Sequence, residues 1–334
     1  HLQTAAVRVG FNLGLFKLFS KTNEPQTVDQ LATTTGADPI FLRRYITYLA
    51  AIGVVEETGV GEFAASNITR NLADPSAVAG ISHCFETCGP QFQALPAFME
   101  KTGHKNPSDE LDTVFQAAWH TKSHGFEWFS SHPKNLGFFN DYMALRRSSD
   151  ISWLSVYPVA NETKDWDPTR AVYVNIGGGI GHQCAQFKQQ YPDIPGRVIL
   201  QDLPHSIAKA LPTPGVENME HNFFEPQPVQ GAKFYFTRGV LHNHPDERVK
   251  KLLSNTKQAM TQDSIMLLDE MVLPEKGVNA YASAMDLTMM GAFAAMERTE
   301  AQWRTIIEDV GLKLVMTYVY NRASYESVMD VRLP

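Results

Sequence analysis

Residues 238–249 read RGVLHNHPDERV and set two imidazoles, His242 and His244, on either side of one asparagine. Two chemistries suit that spacing. On a strand, side chains at i and i+2 share a face, so the pair could hold a metal ion. Alternatively, one imidazole could take and return a proton, because its ordinary pKa of about 6.5 lies close to neutral pH. The metal reading is the weaker one. No third and fourth ligand follows at zinc-like spacing, and Pro245 ends the preceding strand. A capping or packing role for His242 stays open beside both.

A second chemical pattern lies upstream. VYVNIGGGIGHQC places Gly177, Gly179 and Gly181 directly after a strand-like run and before a helical one. Glycines there permit a tight turn and a close approach of ligand to backbone. The helix start beyond offers free N–H groups. The spacing is G-x-G-x-G, not the dinucleotide G-x-G-x-x-G, so a nucleoside other than a hydride carrier is favoured. Asp202 ends the next apolar run, VILQDLP, where an acid can accept both hydroxyls of a ribose.

These residues need a scaffold. From about residue 168, AVYVNI, RVILQDL, AKFYFTRGVL and SIMLLDEMVL are short apolar, β-branched runs separated by helical stretches, and KLVMTYVY can add a late strand. Strands alternating with helices predict an α/β fold with a parallel, doubly wound, Rossmann-like sheet. The first hundred residues read as helical instead. AAVRVGFNLGLFKLF puts Ala6, Val9, Leu13 and Phe16 on one face. Thr27 caps VDQLATTT, which Gly36 ends, and Asp38 with Pro39 opens a longer helix that Gly53 stops. VVEETGVGEFAAS follows as a hairpin. Helix, turn, helix and hairpin make a winged-helix layout. Its second helix carries only Arg43 and Arg44, too few cations for phosphate neutralisation, so a structural or dimerisation role is favoured over DNA binding. Residues 75–156 read as irregular and aromatic-rich, apart from a helix pair in GFEWFSSHPKNLGFFNDYMALRRSS. The stripe Met285, Met289, Met290 and Phe293 serves equally as core or as pocket lining.

Composition sets the outer limits. The chain has 334 residues, 43% hydrophobic and 19% charged, with a net charge of −7, which argues against a nucleic-acid partner. Cys84, Cys88 and Cys184 complete no zinc pattern and read as reduced thiols in a cytoplasmic protein. No run of 18 apolar residues predicts a membrane span. The chain opens inside a helical pattern, without Met or a signal-peptide layout, so a longer N-terminus is expected.

Taken in order, VNIGGGIGH, VILQDLP, HNFFEPQPVQGAKFYFTRGVLHNHPDERV, LLDEMVLP and MERTEAQW resemble the class I O-methyltransferases that use S-adenosylmethionine (SAM), in particular fungal members related to plant caffeic-acid-type enzymes. The resemblance covers essentially the whole chain. It implies a winged-helix dimerisation domain over residues 1–110, linking helices and part of a substrate pocket over 111–160, and a Rossmann-like SAM domain over 161–334. It also implies a homodimer, no metal and a small polyketide or aromatic substrate. Carried over by residue, Asn175, Gly177, Gly178 and Gly179 hold the cofactor's amino-acid part, and Asp202 with Leu203 its ribose. Asn222 and Phe223 lie by the adenine, and Arg238 is a nearby cation. His242 maps to the general base, with Glu270 and Glu297 as the acids that orient it.

The sequence also departs from the family pattern. Amides replace acids at Asn175, Asn222 and Asn243, and His244 replaces a tryptophan. Some fungal members of this family catalyse pericyclic ring closures or dehydrations and keep SAM only as a bound cation. That is the second reading, beside O-methylation of a specialised metabolite. Under it His83, Tyr142 and Arg146 become substrate contacts together with Asn243. A SAM-sensing or DNA-binding regulator is the third reading, disfavoured by the acidic charge.

Overall fold

The computed structural model describes residues 1–147 and 151–334, with the side chains of 144–147 outside the description. The chain opens with α1 (Leu2–Asn12) and α2 (Leu15–Phe19). The periodicity alone suggested one continuous helix; Gly14 breaks it by taking φ +63°, a left-handed conformation that side-chain-bearing residues avoid. After β1 (Gln26–Thr27), α3 (Val28–Thr35) starts in a capping box. The Thr27 hydroxyl accepts from the Gln30 N–H at 3.2 Å, and the Gln30 side chain accepts from the Thr27 N–H at 2.8 Å. Helix α4 (Pro39–Ala51) begins at Asp38 and Pro39 as expected. The hairpin is β2 (Val55–Gly59) with β3 (Glu62–Ala65), and β1 joins it in the order β1-β3-β2.

The next stretch is more regular than its composition suggested. It contains α5 (Asn67–Leu72), α6 (Pro75–His83), a π-helical turn at Cys84–Cys88, α7 (Gly89–Lys101), α8 (Val114–Trp119), α9 (Gly125–Ser130) and α10 (Pro133–Arg147). Two of its prolines open helices. Pro75 and Pro133 occupy first positions, where a missing N–H costs nothing.

The C-terminal part runs α11 (Val159–Glu162), β4 (Ala171–Ile176), α12 (His182–Gln190), β5 (Arg197–Asp202), α13 (Pro204–Ile207), β6 (Val216–Glu220), β7 (Phe234–Arg238), α14 (Asp246–Lys257), β8 (Ile265–Leu273), α15 (Ala280–Phe293), β9 (Arg298–Thr299), α16 (Glu300–Asp309), β10 (Lys313–Asn321) and β11 (Glu326–Arg332). The sheet order is β10-β11-β8-β7-β4-β5-β6, with β9 on β8. It is mixed, not wholly parallel, because β10 and β11 form an antiparallel hairpin at one edge. Strands β6 and β11 escaped the sequence reading. VENME and ESVMDVR are too polar to stand out, although β11 is buried through its middle.

The chain divides into two compact units. One comprises residues 1–93 and 126–146 and centres on Leu15, Phe16, Phe19, Leu31, Ile46 and Leu49. The other comprises 94–125 and 147–334. Its sheet is covered on both faces, as the period of two along a strand requires. Val174 and Tyr235 face a layer with Trp303, while Tyr173 and Phe236 face a layer with Trp153 and Phe187. The three cysteines are free. Among the described residues, no helix is long and apolar enough to cross a membrane.

Candidate active site

The glycine loop joins β4 to α12 where the sheet's carboxyl edge opens. Gly177 and Gly179 take φ of +65° and +62°. A Cβ on Gly178 would overlap the Asn175 amide and Leu200, and one on Gly177 would meet Val240 and Phe223. The loop therefore needs glycine both for its conformation and for its clearance. The Asp202 carboxylate fixes its far side, accepting from the Gly179 N–H at 2.7 Å and from the Leu203 N–H at 2.8 Å. Asn175 is buried beside the Cys184 thiol, and its Nδ2 has no closer partner at hydrogen-bond distance among the described residues. Such a donor, beside a loop too tight for side chains, suits a polar ligand with a nucleoside part. Phe223 packs over Gly177 and Val240, whereas Leu203 and Asn222 are exposed, the latter capping its own turn by accepting from the Phe224 N–H.

His242 lies on the next loop. Gly239 turns the chain out of β7 with φ +57°, and residues 241–243 form one 3-10 turn. The two histidines thus do not share a strand face. The His242 Nδ1 lies 2.7 Å from Glu297 Oε1, and the Glu297 side chain is 1% exposed. An ionised carboxylate only accepts, so Nδ1 carries the proton and Nε2 keeps its lone pair. Glu270 approaches from β8 but bonds the backbone, accepting from the Val240 N–H at 3.1 Å and the Leu241 N–H at 2.8 Å. Burial pushes its carboxyl above the ordinary range, against the pull of those N–H groups and of His242. Asn243 donates to the Gly239 carbonyl at 3.1 Å and closes the turn on itself.

The remaining charged candidates have partners of their own. Arg238 lies 3.5 Å from Asp269 and 3.8 Å from Glu326. Burial pushes the Asp269 carboxyl up to about 7, opposed by Arg238 and by the Tyr320 hydroxyl that donates to it at 2.7 Å. His244 has a different carboxylate partner from His242. Its Nδ1 is 3.7 Å from Glu110 Oε2, its ring meets Phe223 and Phe224 edge-on, and burial lowers its pKa. Among the described residues no group of three or more His, Cys, Asp or Glu could hold a metal ion.

On α15, Met289 is buried while Met285 and Met290 are half-buried. Phe293 stacks on His124 with centroids 5.4 Å apart. Asp286 on the same helix accepts from the Glu297 N–H at 2.9 Å; sequence reasoning passed over it because an acid within a Met stripe gives no signal of its own.

His83 and Tyr142 belong to the other unit, where their rings stack with centroids 5.9 Å apart. The Arg146 side chain falls outside the described residues. Burial lowers the His83 pKa to about 4. Its folded value thus lies below the unfolded value of about 6.5. The stability it contributes is complete above that value and is lost as pH falls toward 4. Between pH 7 and 5 the loss from this residue should reach up to about 2 kcal/mol. His83→Gln should flatten that part of the acid limb in urea titrations at the two pH values; an unchanged pH dependence would show that His83 is not its source.

Residues 108–313 match the O-methyltransferase domain family. Demethylsterigmatocystin 6-O-methyltransferase of Aspergillus parasiticus is 39% identical over 334 residues, covering 100% of this chain and 86% of the relative. The solved structure of LepI in complex with SAM is similar with a TM-score of 0.91 at 37% identity, over 100% of this chain and 86% of that one. A structure described as a pericyclic reaction enzyme matches with the same TM-score and identity, over 100% and 87%.

Proposed function

We propose, from the premise that this chain belongs to the O-methyltransferase family, that it methylates a hydroxyl of a polyketide or other aromatic metabolite, with His242 as general base. The cofactor is SAM. The observation that carries the reading is the 2.7 Å contact between His242 Nδ1 and the buried Glu297 carboxylate.

When bound, SAM supplies an electrophilic methyl group on a cationic sulfur. The glycine loop, the buried Asn175 amide and Asp202 provide clearance, a donor and a carboxylate suited to its amino-acid part and ribose, with Phe223 beside the loop. A phenol has a pKa near 10 and is mostly protonated at neutral pH. His242 Nε2 takes that proton as the oxygen–methyl bond forms, and Glu297 stabilises the imidazolium through Nδ1. Glu270 holds the loop that presents the ring. His83, Tyr142, Arg146, Asn243 and the Met285, Met289, Met290 and Phe293 stripe are proposed substrate contacts. The division into three segments at 110 and 160 and the homodimer are proposed with it, as is the winged-helix dimerisation role of the N-terminal part, whose layout the helix-helix-hairpin order of α3, α4, β2 and β3 supports.

The test is incubation with SAM and a panel of hydroxylated aromatic polyketides, following S-adenosylhomocysteine. Methylated product with an equal amount of S-adenosylhomocysteine supports the reading. Cyclised or dehydrated product without it would replace methyl transfer by the second reading, a SAM-dependent pericyclase. The similarity to a pericyclic reaction enzyme and the uncharged Asn243 beside the base favour that alternative.

A further inference from the structure

We propose that Arg298, with Asp246 as its counter-ion, is the positioning residue for His242: it ties the loop that carries the base to the segment that carries Glu297. The inference rests on the methyl-transfer reading of this site.

Arg298 is fully buried, yet every direction of its guanidinium is used. Nη2 donates to the His244 carbonyl at 2.9 Å, and Nη1 to the Leu241 carbonyl at 3.4 Å and the Met296 carbonyl at 3.3 Å. Nε and Nη2 donate to Asp246 Oδ1 at 3.0 and 2.7 Å. Its Cζ lies 5.0 Å from the centroid of the Trp303 ring. The carbonyls of 241 and 244 bracket His242 and Asn243, so one rigid fork fixes both ends of the turn. On the other side, Arg298 is covalently next to Glu297 and pairs with Val272 on β8, the strand that carries Glu270. Glu270 holds the N–H groups of 240 and 241 while Arg298 holds the carbonyls of 241 and 244. The base loop is therefore clamped through donors and acceptors alike, and the Nδ1–Glu297 distance follows from the clamp.

A buried cation is costly unless paired and hydrogen-bonded, and hydrophobic residues could fill this space without that cost. Arginine suits the position because its planar fork reaches several acceptors at fixed angles; lysine's point charge does not. Displacing a catalytic group by about 1 Å can cost on the order of 10²-fold in rate.

The test uses Arg298→Lys, Arg298→Met and Asp246→Asn in the full chain. Asp246 is half exposed, so its amide variant keeps the fold even if the arginine variants do not. Arg298→Lys and Arg298→Met should lower kcat by about 10²-fold with KM for SAM within about threefold, and Asp246→Asn by about fivefold. Independently of turnover, 15N spectra of the wild type should show His242 protonated at Nδ1 and bare at Nε2, and the variants should show mixed tautomers. Mixed tautomers without any methyl transfer by the wild type would retire the proposed function and keep this inference. Unchanged tautomer and unchanged kcat, with only a lower Tm, would overturn it.

Discussion

His242→Ala should lower S-adenosylhomocysteine formation by about 10³-fold while SAM affinity stays within about threefold. General-base catalysis contributes roughly 10²–10⁴ to rate. The upper half of that range applies because the two carboxylates nearest the imidazole are already committed through one oxygen each. Glu270 is engaged with backbone N–H groups, and the Glu297 contact is made on the far ring nitrogen. SAM affinity should hold because the glycine loop and Asp202 are fixed by contacts that do not involve the imidazole, Gly179 to Asp202 foremost. Calorimetric titration of SAM and a turnover assay on the same preparation check both halves. Equal turnover of His242→Ala and wild type would remove the base assignment, and joint loss of binding and turnover would make His242 a residue of the cofactor site instead.

What the sequence made legible follows the range of the forces involved. Caps act over three residues, so Thr27 with Gln30 and Asp38 with Phe41 could be read directly. The glycine loop is equally local, because the requirement at Gly177 and Gly179 is a backbone angle. Pairings set by strand register were not legible. Asp269 and Glu270 are neighbours on β8, and alternation sends them to opposite faces. Asp269 meets Arg238 and Tyr320, and Glu270 meets the base loop. From sequence both Glu270 and Glu297 could have faced the imidazole; the fold gives that contact to Glu297. Arg238 was read as a cation near the cofactor, and its ion pairs with Asp269 and Glu326 depend on β8 lying beside β7 and β11 beside β8, an arrangement in which β11 was invisible. Arg298 escaped for a related reason. The residue was in plain view within ERTE, and its role comes from where two distant loops meet.

That division between the two glutamates has a measurable consequence. Glu297→Gln should lower kcat by about 10²–10³-fold, and Glu270→Gln by no more than about tenfold. At position 297 the amide is nearly the same size and costs little packing, so the loss is electrostatic. A glutamine can turn its carbonyl to Nδ1–H, which leaves the imidazolium without a counter-charge. It can instead turn its NH₂, which donates and forces the proton onto Nε2, where the base needs a lone pair. Water does not repair either arrangement, since the side chain is 1% exposed. At position 270 the Gln oxygen can still accept from Val240 and Leu241, and burial already favours the uncharged form of the native carboxyl. Steady-state kinetics of the two variants at one pH, with SAM saturating, gives the ratio directly. Losses of equal size would mean that both carboxylates act on the imidazole. A larger loss at 270 would place the dominant demand on loop geometry and not on the charge behind the ring.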